Sequence, residues 1–208
     1  MKIYHLNVGP IQTNCYIIFN EETKAAIIVD PGAESQTILG MVKKLEAKVE
    51  AIFITHGHSD HIGALNRVKE ATGAPVYISE IDAPALADAE MNLSMWMGES
   101  FTCQAPEHYF VEGQDVTAAG YTFKIFATPG HTPGGVCIYN EEKKVVFAGD
   151  TIFCESIGRT DFPGGSYSQI LDSIKTKLLV LPEDTALLPG HGETTSVGWE
   201  KRRNPFLQ

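Results

Sequence analysis

Four β-rich runs in this 208-residue chain each deliver the backbone to a side chain able to hold a metal or move a proton. Ile54-Thr55 leads into His56, and Ala127-Thr128-Pro129-Gly130 into His131. Phe147-Ala148-Gly149 leads into Asp150, and Leu188-Pro189-Gly190 into His191. Loops at strand ends are where a rigid sheet can present several ligands to one point in space. The glycine before each of the last three residues permits a sharp turn into such a site.

The first of these loops is the densest. Thr55-His56-Gly57-His58-Ser59-Asp60-His61 packs three of the seven histidines and a carboxylate into six residues. Buried without partners, these groups would be costly, and a divalent cation is the simplest shared partner. The i, i+2 spacing lets His56 and His58 point the same way from an extended loop. Asp60 and His61 begin a turn or helix and aim elsewhere, so the spacing suggests two metal positions. His5 and His108 have no such context and read as ordinary polar groups.

Around these loops the chain reads as strands first, then helices and strands mixed. Asn14 to Phe19 and Lys24 to Asp30 flank Asn20-Glu21-Glu22-Thr23 in the grammar of a hairpin. Ile38, Val42, Leu45 and Val49 predict an amphipathic helix over 35–48, and Ala51 to Thr55 a buried strand. Tyr121 to Ala127, Val136 to Tyr139, Lys144 to Ala148 and Thr185 to Leu188 are further strands. Ser166-Tyr167-Ser168-Gln169 fits a capping box. The helix it starts would carry Tyr167, Ile170, Leu171, Ile174 and Leu178 on one apolar face. Ser79 to Gly98 is expected to be helical. No repeat or low-complexity stretch divides the chain, so residues 1–208 are expected to form a single domain.

Composition narrows the partners. Hydrophobic residues make up 43% of the chain, enough for a packed core, and the apolar runs are far short of the roughly 18 residues of a membrane span. The N-terminus has no apolar signal region, so a soluble, cytoplasmic protein is expected. Sixteen Lys and Arg against 26 Asp and Glu give a net charge of −10, which disfavours nucleic-acid and anionic-membrane partners. Cys15, Cys103, Cys137 and Cys154 show no CxxC spacing and read as core residues. Cys154, four residues after Asp150, could stand near the site.

Thr55 to His61 resembles the THxHxDH signature of the metallo-β-lactamase superfamily. Gly130-His131-Thr132-Pro133-Gly134, Gly149-Asp150-Thr151 and Gly190-His191-Gly192 are similar to its later motifs, in the same order. The resemblance implies an α+β fold, an αββα four-layer sandwich of two mixed β-sheets face to face with helices outside. It implies that His56, His58 and His131 hold a first metal and Asp60, His61 and His191 a second, with Asp150 bridging them. Two divalent metal ions are thus expected, zinc by default, with iron or manganese compatible with His/Asp ligation. Such a pair can hold water and lower its pKa toward ~7, and Asp60 could also orient the resulting hydroxide.

Branches of the superfamily differ at these positions. The bridging Asp150 is unlike the true β-lactamases, His58 is unlike the flavodiiron oxygen reductases, and the acidic chain shows no RNA-binding arm. Gly149 to Phe153 and Ser156 to Phe162, continuing through Pro163-Gly164-Gly165, look like the short bacterial form of glyoxalase II-like hydrolases. The implied reaction is hydrolysis of a small-molecule thioester such as S-lactoylglutathione. Arg159 stands where that branch has a basic glutathione contact, though a structural ion pair is an equal reading. Asn204-Pro205-Phe206 also resembles that pattern. The alternative is a persulfide dioxygenase using one iron at His56, His131 and Asp150. A non-catalytic module with a structural metal fits poorly, because such sites close with four ligands.

Overall fold

The computed structural model describes residues 1–208. β1 (Lys2–Val8), β2 (Thr13–Phe19) and β3 (Ala25–Val29) form an antiparallel meander. The Asn20 carboxamide oxygen closes the expected turn by accepting from the Glu22 and Thr23 backbone N–H groups. α1 (Ser35–Lys44) then crosses to β4 (Lys48–Phe53), which runs parallel to β3. α2 (Ser59–Ile62) and α3 (Leu65–Thr72) lead to β5 (Val76–Ser79). α4 (Ala83–Leu86) and a long irregular segment lead to β6 (His108–Phe110), the last strand of a six-stranded mixed sheet.

The second half repeats the plan. β7 (Asp115–Ala118), β8 (Tyr121–Ala127), β9 (Val136–Asn140) and β10 (Val145–Gly149) are antiparallel neighbours. A ribbon of β11 (Ile152–Phe153) and β12 (Ser156–Ile157) and the helix α5 (Tyr167–Ser173) follow. α5 continues as a π-helical stretch to Leu178 and returns the chain to β13 (Ala186–Pro189), parallel to β10. β14 (Thr195–Ser196) and α6 (Val197–Arg203) complete a second six-stranded mixed sheet.

Strand periodicity builds the layers. In β2, Cys15, Ile17 and Phe19 join the cluster under α1 and α3, whereas Tyr16 and Ile18 face the other sheet. The inter-sheet cluster also holds Phe53, Phe123 and Phe147, with Phe53 edge-on to Phe123 at 5.8 Å between ring centroids. A third cluster packs Cys137, Val146 and Leu187 of the second sheet against Ile170, Ile174 and Val197 of the outer helices. Burying both faces of both sheets requires helices on the two outer sides. The fold is therefore the αββα sandwich that the resemblance implied. No helix is long and apolar enough to cross a membrane.

Several local expectations are corrected. The first helix stops at Lys44, because Glu46 takes φ 53 and the chain turns; Val49 belongs to β4 instead. Ser79 to Gly98 is not one helix. Ser79 ends β5, α4 lasts four residues, and Leu93 at φ 68 interrupts before a single 3₁₀ turn at Ser94–Trp96. The capping box is half formed. Ser166 Oγ accepts from the Gln169 N–H, but the Ser166 N–H donates to the Gly130 carbonyl, leaving the glutamine side chain no cap to make. Tyr167 lies exposed in the first turn of α5, outside the apolar face expected to include it. Cys154 is exposed while the other three cysteines are buried.

Candidate metal centre

The loop after β4 is fixed by a buried carboxylate one strand away. Asp30, leaving β3, accepts from the Thr55 N–H at 2.8 Å and the Thr55 hydroxyl at 2.7 Å. The same Asp30 carboxylate meets His61 Nδ1 at 3.0 Å. With Nδ1 donating, the His61 Nε2 lone pair is turned inward. Asp60 and His61 sit on α2, one turn beyond His56 and His58, whose ring centroids are 4.8 Å apart.

The second sheet contributes the remainder. His131, in the loop after β8, directs Nδ1 to the Arg159 carbonyl at 2.8 Å and Nε2 toward His58 Nδ1 at 2.9 Å. Asp150 follows Gly149, whose φ of 47 is a left-handed turn suited to glycine. A side chain at Gly190 would put its Cβ 2.1 Å from Asp150 Oδ1, so the bare backbone there is a packing requirement. β2 reaches across to hold this end of β13. The Asn14 carboxamide donates to the Pro189 carbonyl at 2.9 Å and the Gly192 carbonyl at 3.0 Å, and the Tyr16 hydroxyl donates to the Pro189 carbonyl at 2.7 Å. His191, between them, meets Asp60 Oδ2 at 3.1 Å.

The seven residues singled out in the sequence thus converge. They form three overlapping groups: His56, His58 and His131; Asp60, His61 and His191; and His56, His61 and Asp150. Within each group the ligand atoms lie within 4.8 Å of one another. Asp150 reaches both sides, with Oδ1 3.3 Å from His61 Nε2 and Oδ2 3.5 Å from His131 Nε2 and 3.6 Å from His191 Nε2. His56 Nε2, His61 Nε2 and Asp150 Oδ1 are buried with no hydrogen-bond partner. Stranded polar atoms at one point carry a desolvation cost that cations would remove, so the donor set fits a divalent pair.

The electrostatics divide the cluster into neutral and charged rings. Burial, then the neighbouring imidazoles, holds His56 neutral, and the same causes push His58 down to about 3. Burial alone would favour the neutral acids at Asp60 and Asp150. The charge of His61 and hydrogen bonds from neighbouring histidines outweigh it and keep both carboxylates ionised. Against the effect of burial, the carboxylates of Asp60, Asp150 and Asp30 raise His61, and those of Asp60 and Asp150 raise His191. These two rings hold protons that a bound cation would displace, since neutral imidazoles and ionised carboxylates are the forms that ligate.

Three residues gain a role from the fold. Asp30 orients Thr55 and His61, and its position at a strand end is the signal that marked the other loops. The Arg159 carbonyl orients His131. The Arg159 side chain itself lies at the rim, forked onto Asp161 at 2.7 and 2.8 Å and stacked 3.9 Å from the Phe162 ring centroid. Asp82, in the segment expected to be helical, clamps two metal loops together. It accepts from the Gly57 N–H at 3.1 Å, the Thr132 hydroxyl at 2.7 Å and the Gly134 N–H at 2.7 Å. Asp82→Ala would strand these three donors, and a loss of about 2–4 kcal/mol in chemical denaturation is expected. A loss below about 0.5 kcal/mol, the usual range for surface changes, would show that the clamp carries no weight. Cys154 takes no part: burial and the nearby Glu200 charge raise its thiol pKa, the reverse of activation.

Two clefts flank the cluster. One, of about 270 Å³, runs past Gly57, His58, Thr132 and Phe162 to Ile81 and Met91. The other, of about 360 Å³, runs past Asp60 and Thr13 to Ile11, Met97 and Phe101.

Comparison with known proteins places this geometry among relatives. The sequence profile described as the metallo-beta-lactamase superfamily matches residues 8–191. Hydroxyacylglutathione hydrolase GloC of Haemophilus influenzae is 38% identical over 209 residues, spanning 100% of this chain and 98% of that protein. A crystal structure described as BLEG-1 B3 metallo-beta-lactamase superposes with a TM-score of 0.96 at 38% identity, covering 99% of each chain. TTHA1623, solved in a di-iron-bound form, superposes with a TM-score of 0.89 at 34% identity, over 98% of this chain and 100% of that one.

Proposed function

The chain belongs to the metallo-β-lactamase superfamily and is a metallo-hydrolase of it, and from that premise we propose that it cleaves a small thioester at a two-metal centre. The observation that carries the reading is the overlap of the ligand groups, with His56 and His61 each in two of them and Asp150 reaching both sides. His56, His58 and His131 would hold one cation, and Asp60, His61 and His191 the other. When bound, two such cations supply Lewis acidity and bring the pKa of water toward ~7.

The protein's own groups set the rest of the chemistry. Asp60, fixed by the Thr13 hydroxyl at 3.0 Å and by His191, is placed to orient the attacking water. Water adds to the thioester carbonyl carbon, the C–S bond breaks, and the thiol leaves with a proton. The hydrogen bonds of Asp30 and of the Arg159 carbonyl keep the rings from swinging, so little reorganisation is required during reaction. GloC, a relative named for hydroxyacylglutathione hydrolysis, supports the thioester class. TTHA1623 makes iron a candidate beside zinc.

A one-iron dioxygenase would need three of the seven ligands, His56, His131 and Asp150, and is the second reading to measure. The B3 metallo-beta-lactamase name of BLEG-1 adds β-lactam cleavage as a third activity to measure. The test combines metal analysis with three assays: thiol release from S-lactoylglutathione without oxygen, oxygen uptake with glutathione persulfide, and hydrolysis of a cephalosporin. Two metals per chain and anaerobic thiol release are expected. One iron per chain with oxygen uptake alone, or cephalosporin turnover alone, would replace the thioester reading.

A further inference from the structure

The walls of the two clefts are apolar and acidic. Ile81, Met91 and Leu93 line the first, and Ile11, Met97 and Phe101 the second. Between the clefts, Met91, Met95, Trp96 and Met97 stand about half exposed or more on the irregular segment after α4. Exposed methionines and an indole set beside a cleft form an adaptable apolar surface. Apart from Asp82, already bound to three donors, and Asp60, a metal ligand, the charged residues of the linings are Glu90 on one side and Glu34 and Glu99 on the other. No lysine or arginine lines either cleft. The nearest guanidinium at the rim, that of Arg159, is already paired through two hydrogen bonds with Asp161.

On the thioesterase reading, which this inference rests on, we propose that the preferred substrate is a thioester whose thiol arm is apolar and carries no net negative charge. The glutathione arm has two carboxylates and one ammonium group. It would bring net negative charge against walls whose charged side chains away from the metal ligands are Glu90, Glu34 and Glu99, and like charges juxtaposed at a binding surface are repelled. An aliphatic or aromatic thiol arm would instead cover Met91, Met97 and Ile81 and gain from their burial. Both clefts are near or below the lower end of the roughly 300–1,000 Å³ range of small-ligand sites, so the arm is that of a small molecule.

The test uses the metal-loaded protein and lactoyl thioesters differing only in the thiol: glutathione, N-acetylcysteamine and benzyl mercaptan. A kcat/KM at least about tenfold higher is expected for the benzyl ester than for the glutathione ester. Added salt should raise the rate on the glutathione ester and leave the two uncharged esters unchanged, because screening relieves only the charged arm. Calorimetric binding of two non-cleavable thioethers, N-acetyl-S-benzylcysteamine and S-methylglutathione, should favour the former. The double variant Glu90→Gln, Glu99→Gln should lower KM for the glutathione ester. If that ester is cleaved as well as the uncharged ones, or better, the inference falls while the thioesterase reading stands. If no thioester is cleaved, the thioesterase reading falls and the inference with it.

Discussion

Asp150→Ala is expected to lower kcat/KM for thioester hydrolysis by at least about a thousandfold, equivalent to about 4 kcal/mol of transition-state stabilisation. The expectation rests on position. This carboxylate alone approaches His61, His131 and His191 together, at 3.3, 3.5 and 3.6 Å. Removing it takes a shared anion from the middle of the ligand set and leaves the histidines facing one another across a gap. Bound metal, measured by elemental analysis, should fall below two per chain. Circular dichroism should remain that of the folded protein, since Asp150 sits beyond the end of β10 and outside the three apolar clusters. Retention of near-native hydrolysis would mean that the reaction does not depend on a bridged pair.

Exhaustive chelation should abolish turnover and also shift thermal unfolding. A ligand that binds only the folded state at a thousandfold excess over its dissociation constant stabilises by about 4.1 kcal/mol. For a chain of this size, that corresponds to a Tm change of about 8–16 °C for each site. Differential scanning calorimetry with and without chelator, followed by zinc or iron replenishment, measures the change and its reversal. The stranded nitrogens of His56 and His61 are the structural reason for the size of the effect. An undiminished rate after chelation, in a sample shown to be metal-free, would remove metal from the reaction altogether.

What could be read from the sequence follows the reach of each interaction. The His56–His61 cluster was legible because four chemically demanding groups lie within six residues. The later loops were legible because each pairs a β-rich run with a glycine and a ligand-type residue. The outer-edge strands β1, β6 and β7 were not expected. Their exposed and buried positions are mixed, and two of them are only three or four residues long. The segment around Asp82 misled because its apolar residues have no steady helical period, and its conformation is set by contacts with loops 50 residues away. Asp30 and the Arg159 carbonyl escaped notice for a related reason. They act through His61 and His131, about 30 residues away in the sequence, and such partnerships exist only once each half of the chain has folded. Tyr167 shows the opposite error, an apolar period extended one residue past the surface that covers it.

The division of the donors between the sheets has a consequence for assembly. Each of the three ligand groups draws at least one member from residues 56–61 and at least one from residues 131–191. Neither half of the polypeptide, synthesised or expressed by itself, owns a complete coordination sphere. Ion capture during biogenesis must therefore come after the halves have docked, and tight retention of the ion becomes a certificate that docking was correct.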